Sequence, residues 1–147
     1  MNIRERREEG IKLAKRLGIK DQELFELIRS NCWDAILEKA MEISPKKTEK
    51  ALIILIKNKD LSMHDCWYIA VSRHTPARIQ RKLARHKDSS IRCAVAENIY
   101  VTPLKTLRKL TRDRSKLVCE AAEDSLKSLK TESFKTIFGS GGIRTYP

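Results

Sequence analysis

The side chains best suited to chemistry in this sequence are bases that recur at equal spacing. Four pairs of Arg or Lys are each separated by 27 residues: Arg78 with Lys105, Arg81 with Arg108, Lys82 with Lys109, and Arg85 with Arg112. In an α-helix the four bases of each segment would occupy an arc of ~100°. If the two segments pack side by side, their arcs form one cationic surface, named here the basic ridge.

Positive charge is concentrated around this ridge. Residues 73 to 116 contain thirteen Lys or Arg against three acids, a net +10 of the chain's +12. Residues 1 to 60 contain fourteen bases and eleven acids and are nearly balanced. Like charges three or four residues apart repel each other, so the pattern favours a polyanion that turns repulsion into attraction. The alternative is a solvated face that only keeps the chain soluble.

Cysteine and histidine are the candidate metal ligands. The positions are Cys32, Cys66, Cys93, Cys119, His64, His74 and His86. They include no Cys-x-x-Cys pair and no Cys and His at zinc-site spacing. We therefore expect reduced thiols, no metal and no cofactor.

Aromatic residues are few, at 5% of the chain. Trp33 and Trp67 fall at matching places of two apolar segments, which predicts packing between units in the core. Tyr100 lies in a predicted loop and is a weaker candidate for stacking on a partner. Because no aromatic residue interrupts the ridge, we expect contact with a nucleic-acid backbone rather than with bases.

Helices must position the ridge. Three Ser/Thr-Pro pairs recur with spacings of 31 and 27 residues: Ser44-Pro45, Thr75-Pro76 and Thr102-Pro103. Each predicts a helix start, with the hydroxyl residue as N-cap and Pro at the first helical position. An apolar segment precedes each pair, and a helix with an apolar face follows it, the last one including Leu104 and Leu107. The pattern is typical of repeated helix pairs.

The composition and this repeat predict the fold class. Only 5 Gly and 4 Pro occur, which favours an all-α chain. The Cys-Trp pair at 32 and 33 returns at 66 and 67, and a last unit begins at Leu117. About four helix pairs stacked as a right-handed α-solenoid (α-α superhelix) are expected, because one pair cannot bury its apolar face alone.

One domain is expected over residues 1–138, with a flexible C-terminal tail at 139–147. Residues 1–30 are predicted to form capping helices, and 31–138 the repeats, closed by a helix from Thr131 to Phe138 that buries Phe134. The N-terminal residues lack the apolar stretch of a signal peptide. The longest apolar run, Ala51 to Ile56, is six residues, too short to span a membrane, so a cytoplasmic location is expected.

Residues 69–88 and 91–113 resemble leucine-rich-repeat variant units. In that family an apolar-Arg start, a Val-Ala pair, an Asn, a Thr-Pro and a Leu-x-x-Leu-Ala-x-Asp segment follow in order. The matching residues are Ile91-Arg92, Val95-Ala96, Asn98, Thr102-Pro103, Leu107, Leu110 and Asp113. The resemblance covers roughly residues 65 to 125 and implies HEAT-like stacked helices. Some family members carry an iron-sulfur cluster on N-terminal cysteines, but residues 1 to 60 here contain only Cys32.

These patterns favour a non-enzymatic binding module that presents the basic ridge to the phosphates of DNA or RNA. A scaffold for an acidic protein is the alternative. A remote alternative is a HEAT-like alkylpurine DNA glycosylase, since Asp88 and Asp113 are the carboxylates nearest the ridge. No catalytic motif is visible in the sequence.

Overall fold

The computed structural model describes Lys15, residues 33–59 and residues 61–138, with side chains for Lys15, 36–59 and 61–131. From Trp33 onward these residues form helices and turns without a strand, which confirms the all-α prediction. The helices are α1 (Trp33–Ile43), α2 (Pro45–Lys57), α3 (Met63–Val71), α4 (Ala77–Leu83), α5 (Ser89–Glu97), α6 (Leu104–Leu110) and α7 (Lys116–Phe138). No helix in this part of the chain is both long and apolar enough to cross a membrane.

The odd-numbered helices pack in a row, and the even-numbered helices pack mainly against members of that row, α6 against α5 and α7. Helices α1, α3, α5 and α7 pack in succession, each against the next. Helix α2 packs against α1 and α4, while α4 and α6 both pack against α5. The two helices that carry the basic ridge therefore share α5 as a common support.

One apolar core runs through these contacts. The 27-residue offset of the basic pairs also relates buried apolar residues: Leu83 to Leu110, and Ile91 to Val118. Leu52, Leu55 and Ile69 continue the core toward α1 and are at most 1% exposed. Burying such side chains contributes about 1.5 to 3 kcal/mol each, so the core fixes which helix faces remain for solvent.

The prediction that Ser or Thr caps each helix is right for α2 and wrong for α4 and α6. The Ser44 hydroxyl accepts a bond from the Lys47 amide at 3.3 Å, with Pro45 at the first helical position. At α4 and α6 the cap residue is Pro76 and Pro103, both with φ −58° and an extended ψ. Each threonine therefore lies one residue before the cap, and its hydroxyl is bonded elsewhere.

The two threonine hydroxyls connect neighbouring helices instead. Thr75 Oγ1 donates to the Ile69 carbonyl, and Thr102 Oγ1 donates to the Val95 carbonyl at 2.8 Å. Both threonines are buried. Each carbonyl lies in the last turn of the preceding helix and also accepts from the C-cap amide of that helix, Ser72 or Asn98, so the threonine hydroxyl adds a second bond.

The predicted core positions of Trp67 and Leu104 are wrong. Trp67 is 42% exposed and Leu104 is 46% exposed. Helix α3 turns Asp65, Cys66 and Ile69 inward, and a residue one position after Cys66 is rotated by about 100° away from that face. The side chain of Trp33 lies outside the described residues.

The prediction of a separate closing helix from Thr131 to Phe138 is also wrong. Helix α7 runs without a break from Lys116 to Phe138 and is 23 residues long. It contains no Gly or Pro that would end a helix near Thr131. The predicted capping helices at 1–30, apart from Lys15, the tail at 139–147 and the burial of Phe134 lie outside the described residues.

Candidate functional site

The eight ridge residues are all exposed to solvent: Arg78, Arg81, Lys82 and Arg85 on and after α4, and Lys105, Arg108, Lys109 and Arg112 on and after α6. The Arg78 guanidinium lies 3.4 Å from the Glu49 carboxylate of α2. For the other seven, no carboxylate of the described residues is within ion-pair distance. The ridge therefore presents charge that this part of the chain does not neutralise.

The bases of α6 converge on one shallow depression of about 530 Å³. It is lined by Lys105, Arg108, Lys109, Thr111 and Arg112. The Thr111 hydroxyl donates to the Arg108 carbonyl at 2.6 Å. Four cations around one depression can hold an oxyanion such as a phosphate.

Helix α2 extends the exposed positive charge beyond the predicted ridge. Its exposed bases are Lys46, Lys47, Lys50 and Lys57. Because α2 packs against α4, these lysines lie on a helix adjacent to the ridge. Sequence reasoning missed them, since it took the net charge of residues 1 to 60 as a whole.

The three Ser/Thr-Pro pairs contain the signal that reveals these lysines. Two residues after each proline stands a base, at Lys47, Arg78 and Lys105, and five residues after each proline stands another, at Lys50, Arg81 and Arg108. Aligning the units on proline rather than on leucine brings out this register. The basic pattern thus recurs in three helices rather than two.

Arg92 lies in the basic segment but points into the protein. It is 5% exposed, and its Nε and Nη2 donate to the two carboxylate oxygens of Asp113 at 2.9 and 3.2 Å. Its Nη1 donates to the carbonyls of His86 and Lys87 at 2.7 and 3.0 Å. Arg92 thereby joins the turn after α4 to the turn after α6.

Asp113 and Asp88, the carboxylates that the sequence predicted to be nearest the ridge, have structural partners. Burial alone would raise the pKa of Asp113, but hydrogen bonds from Arg92 and from the Ser115 amide outweigh it and lower that pKa. Asp88 caps α5 by accepting from Ser90, and those bonds lower the pKa of Asp88. Both groups are thus held ionised at neutral pH.

Tyr100 and Arg73 form a stacked pair between two loops. The Arg73 guanidinium carbon lies 4.0 Å from the centroid of the Tyr100 ring, and Arg73 Nη2 donates to the Tyr100 hydroxyl at 3.1 Å. Tyr100 is in the predicted loop and is 62% exposed. Sequence reasoning missed Arg73, although it stands 27 residues before Tyr100, at the equivalent place of the previous unit.

The three described cysteines are free thiols. Burial, with a further contribution from Asp65, raises the pKa of Cys66 to about 11, so this thiol stays protonated and unreactive at neutral pH. Cys119 Sγ donates to the Asp113 carbonyl at 2.8 Å. Within the described residues, no group of three or more potential ligands is arranged to hold a metal ion.

Comparisons of the chain with protein-family models, with curated proteins and with solved structures returned no match.

Proposed function

We propose that this protein is a non-enzymatic module that binds the phosphates of a nucleic acid through the basic ridge. The observation that carries the proposal is the free charge of the ridge: seven of its eight bases have no ion-pair partner among the described residues. Binding phosphates at such a surface releases condensed counterions from the nucleic acid, which favours the complex.

The proposal includes a stacked arrangement in which α4 and α6 turn their bases to the same side, as in a right-handed α-solenoid of the leucine-rich-repeat variant kind. Two observations support it. Both helices are seven residues long and follow a cap proline with nearly identical backbone angles. Arg92 connects the turns that follow them, so the ends of the two helices are tied together.

The dependence of affinity on salt tests phosphate binding. If about four phosphates are contacted, the logarithm of the association constant should fall against the logarithm of salt concentration with a slope of about −3 to −4. The triple variant Lys105→Gln, Arg108→Gln, Arg112→Gln removes three ridge cations. We expect it to bind more weakly and to flatten the slope by about 2 to 3. Fluorescence anisotropy of a labelled oligonucleotide measures both quantities.

A control variant with the same net charge as the ridge variant tests whether the position of the lost bases matters. The triple variant Lys116→Gln, Lys127→Gln, Lys130→Gln removes three exposed bases from α7. Its slope should stay at the wild-type value, because these bases lie outside the ridge. Equal losses in the two triple variants, or a wild-type affinity that salt does not change, would contradict the proposal.

An acidic protein partner is the second candidate, and one feature favours it. Met63, Trp67 and Val71 form an exposed apolar row on α3, with Trp67 edge-on to Tyr68 at 5.2 Å between ring centroids. Exposed tryptophans of this kind dominate binding energy at protein interfaces. This candidate predicts that one acidic protein binds far better than heparin or random DNA, and that Trp67→Ala weakens that binding.

A further inference from the structure

The Tyr100 ring has one face against a cation, and the side chain remains largely exposed. Arg73, from the loop before α4, stacks at 4.0 Å on the ring, and Tyr100 itself lies in the loop before α6. An arginine over an aromatic ring makes a favourable cation–π contact and holds the ring in place. With 62% of the residue accessible, Tyr100 keeps exposed surface that another planar group could contact.

Asn98 fixes the two loops relative to each other. Its Nδ2 donates to the carbonyls of Ala70 and Ser72, both at 2.8 Å, and its Oδ1 accepts from the Tyr100 amide at 3.3 Å. Asn98 is 5% exposed, so these bonds are shielded from water. The Tyr100 loop is thus held before any ligand arrives, which lowers the entropy lost on binding.

A depression of about 310 Å³ adjoins this pair and lies at the small end of the range for small-molecule sites. Its lining residues are Val71, Arg73, Ala94, Glu97, Asn98 and Tyr100. Val71 and Ala94 provide apolar surface beside the aromatic ring. The exposed Glu97 carboxylate is an acceptor suited to the amino group of a nucleobase, whereas it would repel a phosphate.

A second depression lies on the other side of the Arg73 loop, against Met41 and Val101. It has a volume of about 440 Å³, and Arg73 lines both depressions. Its lining also includes Pro76 and Ala77, the residue before Arg78. Arg73 therefore places one cation beside any strand whose base lies at Tyr100.

We propose that Tyr100, backed by Arg73, is a stacking platform for one unpaired nucleobase, so that the preferred ligand is a single-stranded nucleic acid. This inference rests on the proposed phosphate binding and specifies its ligand class. In a duplex the faces of the bases are covered by their neighbours, whereas an unpaired base can leave the strand and stack on an aromatic side chain.

The test measures the affinities of the wild type and of Tyr100→Ala for each of two ligands. The ligands are a single-stranded oligonucleotide and an abasic oligonucleotide of equal length, which has the same phosphates but no bases. Tyr100→Ala should weaken binding of the first about 5- to 150-fold, the range found for losing one stacked base. It should leave the affinity for the abasic strand unchanged, and the salt dependence of both should persist.

Two variants serve as controls in the same assay. Tyr100→Phe keeps the ring and should retain most of the affinity, while Leu117→Ala truncates a residue that is 70% exposed on α7 and should change nothing. The stacking platform would be overturned if Tyr100→Phe lost much of the affinity, or if Tyr100→Ala lost the same affinity for both ligands. If the wild type binds both strands equally and with a steep salt dependence, phosphate binding stands and the platform fails. If it binds neither, both proposals fail.

Discussion

Arg92 is a single residue of the basic segment whose charge lies inside the protein rather than on its surface. Its guanidinium contacts two carbonyls and both oxygens of Asp113, so its charge is compensated inside the protein. The side chains of Arg92 and Asp113 are 6% and 10% exposed. Removing water from two ions costs several kcal/mol, so the pair is stable only while both partners are present.

We predict that Asp113→Ala lowers the free energy of unfolding by about 3 to 5 kcal/mol, because it leaves Arg92 buried without a counterion. Urea denaturation measures the change. Asp124→Ala on α7 is the matched control: Asp124 is exposed, and its removal should cost less than about 0.5 kcal/mol. A loss in Asp113→Ala no larger than in the control would show that the pair contributes little.

The pH dependence of stability provides a second test with the Asp113→Ala variant. Because the pKa of Asp113 is lower in the folded protein than its ordinary value of 3.8, its contribution to stability is complete well above that value. It is lost as the pH falls through the lowered pKa of the folded state. Wild-type stability should therefore fall more steeply below about pH 4 than that of Asp113→Ala. Parallel pH profiles would exclude this contribution.

At the scale of elements, the helix junctions depend on side chains that bond to the preceding helix. Asn98, at the end of α5, donates to carbonyls in and after the last turn of α3. Thr75 and Thr102 likewise donate to carbonyls of α3 and α5. These bonds set the position of each loop and, with it, the position of Tyr100.

We predict that Asn98→Ala lowers the free energy of unfolding by about 2 to 3 kcal/mol. The variant loses two buried hydrogen bonds, and alanine has no side-chain donor to replace them. It should also weaken single-stranded binding, since the Tyr100 loop loses its anchor. Asn58→Ala is a suitable control, because Asn58 is exposed at the end of α2 and caps that helix through its backbone amide. Thermal melting followed by circular dichroism measures both variants, and equal melting temperatures would contradict the prediction.

The elements were largely predictable from sequence, and the contacts between them were not. Proline predicted to within one residue where α4 and α6 begin, and the apolar spacing predicted that Leu107 is buried. Neither pattern could predict that the Thr75 hydroxyl finds a carbonyl six residues earlier, because that depends on the angle between two helices. Trp67 was misplaced because hydrophobic type alone does not decide which side of a short, mostly apolar helix faces the core.

The same holds for the candidate site: features local to one helix were predictable, and contacts between elements were not. Exposure of the ridge bases followed from their arc on each helix, since that arc avoids the leucines. The pairing of Arg73 with Tyr100 joins residues 27 positions apart and required two loops to be brought together. The burial of Arg92 depended on a carboxylate 21 residues away, which composition cannot reveal.

At the scale of the whole molecule, a net charge of +12 acts on folding as well as on binding. Exposed like charges repel one another within α4, within α6 and between helices, and salt screens this repulsion. The ridge therefore destabilises the free protein slightly while it prepares the surface for a polyanion. Stability and binding should respond to salt in opposite directions.

We predict that raising NaCl from about 10 to 200 mM, which shortens the screening length from about 30 Å to below 10 Å, stabilises the free protein by about 1 kcal/mol. The variant Lys105→Gln, Arg108→Gln, Arg112→Gln should be more stable than wild type at low salt and gain less from added salt, because it removes the repulsive pairs of α6. The α7 triple variant at Lys116, Lys127 and Lys130 should gain no stability at low salt, because Lys116 lies 3.9 Å from the Glu120 carboxylate and is attracted to it. Urea denaturation at both salt concentrations separates these cases. Destabilisation of the wild type by salt would mean that ion pairs outweigh repulsion, and that the ridge is neutralised within the molecule.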